Sequence, residues 1–295
     1  MTDSARFERS QLMAPEAVGR WQTRALMVGV AATVFSLLGY FVDGTHFVDS
    51  ALRAWLVSFW FYLGLSAGSL GLIMLTYMTG GWWGFIPRRI FQASARTMGL
   101  VFLYFLPIWF GMKHLFAWAD PANKTFGLTA EELQLWKFKS YLTTTNWSIR
   151  AAIYWIIWVT IAMLITKWSD ERDGSPGNDR VWRLRFQKLA APGLVIFALT
   201  MTFASFDWMM SLDARWTSTI YGMIILIGQV LAAMAFATVV CVHLSDSEPM
   251  ASFLKRDILH DMGKLMLAFT MFWAYVSFSQ LLIIWSANMP EEIIF

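Results

Sequence analysis

The chain has 295 residues, of which 57% are hydrophobic, 17% aromatic and only 15% charged, with a formal net charge of +3. That balance is too apolar for a water-soluble fold of this length, so the chain reads as an integral membrane protein with lipid around it and no nucleic-acid partner. Its single cysteine, Cys241, excludes an intrachain disulfide, a covalently attached c-type haem and a self-contained iron–sulfur cluster.

Residues 1–20 are polar and are predicted to form a cytoplasmic surface or docking segment, with residues 21–295 making a transmembrane helical domain. A bilayer core needs about 20 apolar residues per helix, and fewer where long basic side chains snorkel outward. Seven stretches qualify: Ala25–Val42, Ala54–Met78, Thr97–Gly111, Ala151–Thr166, Leu189–Leu212, Thr217–Leu244 and Leu265–Ala287. The third and fourth are short between flanking charges, Arg96 to Lys113 and Arg150 to Lys167. The runs lack the two-residue alternation of barrel strands, so the expected fold is an all-α bundle of about seven transmembrane helices. About 24 polar residues precede the first span with no small-residue cleavage site after it, so that helix is expected to stay as an anchor. In the second span, Gly64-Leu-Ser-Ala-Gly68 followed by Gly71 predicts a seam where another helix comes close. Ala117–Thr145, with Trp118, Trp136 and Tyr141, reads as a long external loop, and Ser169–Arg180 as an exposed cytoplasmic one. Of the 23 lysines and arginines, sixteen fall on the amino-terminal side of these spans and seven on the other. The positive-inside rule then places the N-terminus in the cytoplasm and the turn at 213–216 outside.

Chemistry is expected from few groups. His46, His114, His243 and His260 fall at helix ends or in loops, which disfavours a bis-histidine haem within the bundle. The segment Ser205-Phe-Asp-Trp-Met-Met-Ser-Leu-Asp213 is different. It places Asp207 one to two turns inside a span, where an ionised side chain costs about 2.5 to 3.5 kcal/mol unless something offsets it. Thr200, Phe203, Asp207 and Ser211 recur at helical spacing, so that face is expected to turn into the protein. An aspartate held there could take up and release a proton or face quinol, or it could be a structural acid bonded to Trp or Ser donors of adjacent helices, or one close enough to the lipid headgroups to stay wet. On the last helix Asp257, Asp261, Lys264, Ala268, Met271, Tyr275, Ser279, Leu282 and Ser286 form one stripe, ionisable at its start and hydroxyl-bearing further in. Such a stripe could order water and pass protons; interhelical hydrogen bonding with an Asp261–Lys264 pair is the simpler alternative. Gln229 and Gln280 could bridge the two regions or simply pack. The 17 Trp and 18 Met suit an aromatic belt and adaptable packing.

Four segments together resemble one family. They are Tyr77-Met-Thr-Gly-Gly-Trp-Trp-Gly84 followed by Arg88-Arg89, the 205–213 segment with Trp216 and Ser218-Thr-Ile-Tyr-Gly222, Gly263-Lys264 running to Phe272-Trp-Ala-Tyr275, and Ser279-Gln-Leu-Leu-Ile-Ile-Trp-Ser-Ala-Asn-Met-Pro-Glu-Glu292. These resemble the ActF-type membrane subunit of bacterial alternative complex III, a quinol:electron-acceptor oxidoreductase related to the NrfD and polysulfide-reductase membrane anchors. The resemblance implies an NrfD-like two-bundle fold in the bacterial inner membrane. It also implies a sister NrfD-like membrane subunit, an iron–sulfur subunit and multihaem cytochrome c subunits as partners. By the same resemblance the chain holds no cofactor or metal and no catalytic residue of its own, haem c and iron–sulfur clusters lie on the partners, and quinol is the substrate of the complex. Matching positions imply a proton path through Asp207, Asp213, Lys264 and Tyr275, entered at Asp257, His260 and Asp261, with Ser279 in the same stripe. Thr76 and Tyr77 stand where family members often carry paired histidines. The family also continues about three helices beyond Pro-Glu-Glu, whereas this sequence stops at Phe295, so those helices are expected to come from another chain or to be missing here. Two other readings are a standalone proton-coupled secondary transporter and a subunit that itself binds quinol between Asp207 and Trp208, Trp216 and Tyr221.

Overall fold

Apolar segments in lipid must satisfy every backbone N–H and C=O internally, and the helix does this within one segment. The computed structural model describes residues 16–119, 140–174, 179–213, 216–248 and 250–288, apart from the side chains of residues 16, 17, 36, 37, 39, 40 and 42–47. Among the described residues every regular element is helical: α1 (Glu16–Thr79), the one-turn α2 (Trp82–Phe85), α3 (Arg88–Arg96), α4 (Met98–Phe110), the one-turn α5 (Met112–Leu115), α6 (Thr144–Asp173), α7 (Asp179–Trp208) with a 3-10 turn at Met210–Leu212, α8 (Tyr221–His243), the one-turn α9 (Met250–Phe253) and α10 (Arg256–Ala287). Six described stretches are long and apolar enough to cross a membrane: Val48–Thr79, Arg88–Phe110, Thr144–Asp173, Asp179–Leu212, Tyr221–His243 and Arg256–Ala287. They correspond to the second through seventh expected spans. The expected first span, Ala25–Val42, is helical in backbone but includes side chains outside the described set.

The 64 residues of α1 contain no proline and no non-helical residue. A straight helix of that length would extend about 96 Å. Yet the Trp21 ring lies 5.6 Å from the ring of His243, at the end of α8. Gly64 and Gly68 meet Gln229 and Ala233 in order, so α8 runs parallel to the second half of α1 and His243 ends level with its C-terminus. The chain must therefore reverse between Trp21 and Gly64, and the start of α1 lies back toward its own end. Gly80 and Gly81, at φ of +73° and +102°, then stop the helix, as left-handed glycines do after a helix C-terminus.

The small-residue seam is as expected. A Cβ on Gly68 would overlap the Gln229 carbonyl, and one on Gly71 would stand 3.3 Å from the Phe197 ring. Glycine alone permits α1 to pack this closely on α8 at Gly68, while at Gly71 it leaves the Phe197 ring of α7 room to lie against the helix. Around it lies an aromatic interior in which Phe59, Phe105, Trp147, Trp158 and Trp208 are fully buried. The exposed loop expected at Ser169–Arg180 is shorter, because α6 continues to Asp173 and α7 begins at Asp179. The extra helix is tied to α3 by Arg89–Asp173 and by Arg96–Asp170 at 2.5 Å, both exposed, with Gln92 donating to Ser169 at 2.8 Å beneath them. In contrast, only 6% of the most apolar window of α10 is buried, against 72% for Val48–Thr79. The bundle leaves α10 on its outside.

Candidate functional site: a buried arginine–aspartate–tyrosine cluster

Asp207 sits in the last turn of α7 and is completely buried. The α7 macrodipole presents its negative end here, so the carboxylate needs another source of stabilisation. Arg150 supplies it. Its Nε donates to Asp207 Oδ2 at 2.9 Å and its Nη2 to Oδ1 at 2.8 Å, the two parallel bonds of a bidentate pair. Tyr154 donates from its hydroxyl to Oδ2 at 2.9 Å. The Asp207 carbonyl, left over at the helix end, accepts from Trp147 Nε1 at 2.9 Å and from Ser211 Oγ at 2.6 Å.

All three α6 donors, Trp147, Arg150 and Tyr154, lie on one helix face at spacings of three and four. Thr143 sets that face by capping α6, its hydroxyl accepting from the Asn146 amide at 3.2 Å. The cap starts the helix seven residues before the expected span at Ala151, which carries Arg150 inside it. Arg150 is also held from behind: Nη1 donates to the Tyr141 carbonyl at 3.0 Å, and its Cζ lies 3.9 Å from the Tyr141 ring centroid. Tyr141 lies outside the candidate spans. Burial first, then the nearby Asp207 carboxylate, push its phenol well above the ordinary range. The Arg150 side chain keeps 20% exposure and Asp207 none, so one edge of the pair is wet and the carboxylate is sealed.

The seal is aromatic. Trp208, next to the acid, packs on Phe105 at 4.5 Å, on Phe59 at 5.9 Å, on Trp158 at 5.8 Å and in parallel on Trp155 at 6.0 Å between ring centroids. Trp158 extends the zip one turn further by donating to Thr200 Oγ1 at 2.9 Å. With its oxygens occupied by three donors and its own surface fully buried, Asp207 acts here as one half of an ionic clamp between α6 and α7.

The other expected residues are dispersed. Trp208 belongs to the interior just described and offers no open face. Trp216 is buried and meets Tyr221 edge to face at 5.2 Å, forming a separate pair at the start of α8. Asp213 is half-buried after the 3-10 turn. Asp257, His260, Asp261 and Lys264 are exposed in the first turns of α10, with Lys264 3.5 Å from Asp261. Tyr275 is 69% exposed, and Ser279 donates to the Tyr275 carbonyl at 2.8 Å. Gln280 does bridge, accepting from Ser218 at 2.8 Å, whereas Gln229 packs against Gly64 and Gly68. Phe203 departs from the expected buried face: it is 45% exposed beside Phe206, since a residue four before Asp207 leans off a face that Thr200, Ala204, Asp207 and Ser211 define. Arg150 and Tyr154 were absent from the expected site. Their signal was present in the spacing of Trp147, Arg150 and Tyr154, one charged and two hydrogen-bonding residues on a single helix stripe. No family model matches the chain, and no curated protein matches it.

Proposed function

We propose that this chain is a multi-pass scaffold subunit of a quinol:electron-acceptor oxidoreductase of the alternative complex III type. The class rests on the sequence resemblance. The role rests on one structural observation: the acid within the bundle is clamped and sealed, whereas the ionisable stripe of α10 lies on the outside. In this reading the Arg150–Asp207 clamp fixes the bundle. Asp257, Asp261, Lys264, Tyr275 and Ser279 line a proton route that is completed only when a neighbouring subunit covers α10. Haem c and iron–sulfur centres belong to partner subunits, and the chain lies in the bacterial inner membrane with seven crossings and its N-terminus in the cytoplasm, Ala25–Val42 being the first.

Extraction of the tagged chain from its native membrane in mild detergent tests this directly. Haem absorbance and quinol oxidation should travel with it through size-exclusion chromatography. A haem-free monomer under conditions that preserve other respiratory complexes would refute the assignment.

A further inference from the structure

At the opposite end of the bundle from Asp207, a cavity of about 340 Å³ opens between the end of α1, the Gly80-Gly81 turn, α2, the start of α3, the end of α6 and the start of α7. Its lining includes Arg88, Arg172 and Arg183, with Asp179 as the one acid among them. Clustering guanidinium groups is unfavourable unless an anion joins them.

The side chains inside are prepared for one. Arg88 Nε, Arg172 Nη2 and the Tyr77 hydroxyl are buried and have no hydrogen-bond partner. Such groups ordinarily find partners, because a buried donor left without an acceptor loses its hydration with nothing in return, and the loss is larger when the donor is charged. Aromatic faces hold them in place. Arg172 Cζ lies 5.5 Å from the Phe186 centroid, Arg88 Cζ lies 4.8 Å from that of Phe85, and Tyr77 stacks on Phe186 at 4.1 Å with 6° between planes. Of the nearby acids, Asp173 pairs with Arg89 and lies in ion-pair contact with Arg172 at 3.6 Å, beyond hydrogen-bonding distance, so it leaves the Arg172 donor unfilled.

We infer that this cavity binds a phosphate group, received by Arg88, Arg172 and the Tyr77 hydroxyl. Guanidinium forks match phosphate oxygens in geometry and charge. The location favours a lipid as its source. Val48–Thr79, Arg88–Phe110, Thr144–Asp173 and Asp179–Leu212 all begin or end around the cavity, which puts it at headgroup level, and Met78, Trp82, Phe85 and Val181 expose apolar surface beside it where acyl chains would lie.

The full-length chain in neutral detergent would be titrated with phosphatidylglycerol, with phosphatidylcholine and with inorganic phosphate, following thermal unfolding and lipid adducts by native mass spectrometry. Phosphatidylglycerol should bind and stabilise, phosphatidylcholine should not, and Arg88→Gln or Arg172→Gln should weaken binding at least tenfold. Arg96→Gln, whose partner is Asp170, should leave binding unchanged. Equal stabilisation by inorganic phosphate would keep the phosphate site and identify a free anion as its occupant. Tyr77→Phe preserves the stack on Phe186 and should weaken binding about threefold, which decides the matter if an arginine variant fails to fold. Absence of binding by either anionic probe, or equal binding by wild type and all three cavity variants, would overturn the inference.

Discussion

Replacing Arg150 by Gln would leave the Asp207 carboxylate buried with the Tyr154 hydroxyl as its sole side-chain donor. Two charge-assisted bonds to Asp207, one bond to the Tyr141 carbonyl and a stacked guanidinium would go together. Breaking a buried ion pair from one side costs about 3 to 5 kcal/mol. Because the Arg150 side chain retains 20% exposure, water can reach that edge, and the expected loss lies near about 3 kcal/mol. Asp207→Asn strands the arginine instead, but the arginine can still use the Tyr141 carbonyl and its wet edge, so about 2 to 3 kcal/mol is expected. The double variant places an amide opposite an amide with no charge to strand. Its cost should fall below the sum of the two by at least about 2 kcal/mol, the coupling expected of directly bonded groups. Reversible unfolding of the chain in bicelles by a denaturing detergent, with the four proteins of the cycle compared at one lipid composition, measures these differences. Single variants each costing under about 1 kcal/mol with additive effects would refute the claim that this pair holds α6 to α7.

Tyr154→Phe keeps the ring against Trp158 and Trp208 while removing one donor from a carboxylate, so a loss of about 1 to 2 kcal/mol, smaller than for Arg150→Gln, should appear in the same assay. Gly68→Ala should cost about 1 to 3 kcal/mol by forcing α1 and α8 apart at the Gln229 carbonyl. Gly29→Ala meets no atom within 4 Å and should be neutral or slightly stabilising, and equal effects at the two glycines would contradict the packing described.

Much of the fold was legible because lipid simplifies the problem. A run such as Tyr221–His243 has one satisfactory backbone solution, and hydropathy finds it. The seam at Gly64, Gly68 and Gly71 was equally plain, since small residues at helical spacing have few other uses. Charge was harder to read. Arg150 served as the border of a span, although a long side chain can enter the bundle when an acid waits for it, and only the Thr143 cap, itself a local and weak feature, reveals that the helix starts earlier. Asp207 was recognisable as needing compensation, but its partner is 57 residues away in sequence and no spacing rule connects them. The direction of the α10 stripe was also hidden: periodicity tells which residues share a face, and only the neighbouring helices decide which way that face points.

The bonding side chains of α6 form a single file: Trp147, Arg150 and Tyr154 all reach Asp207 of α7, Trp158 reaches Thr200 one to two turns earlier on the same helix, and Ser169 accepts from Gln92 of α3. Sliding the helix by one residue would also turn it by about 100°, pulling every one of these teeth out of its slot together. Such an element behaves as a key and not as a piston, tolerating no small excursion along or about its axis. Any rearrangement that accompanies work by this protein must therefore leave α6 and α7 moving as one body and find its freedom in the peripheral α10.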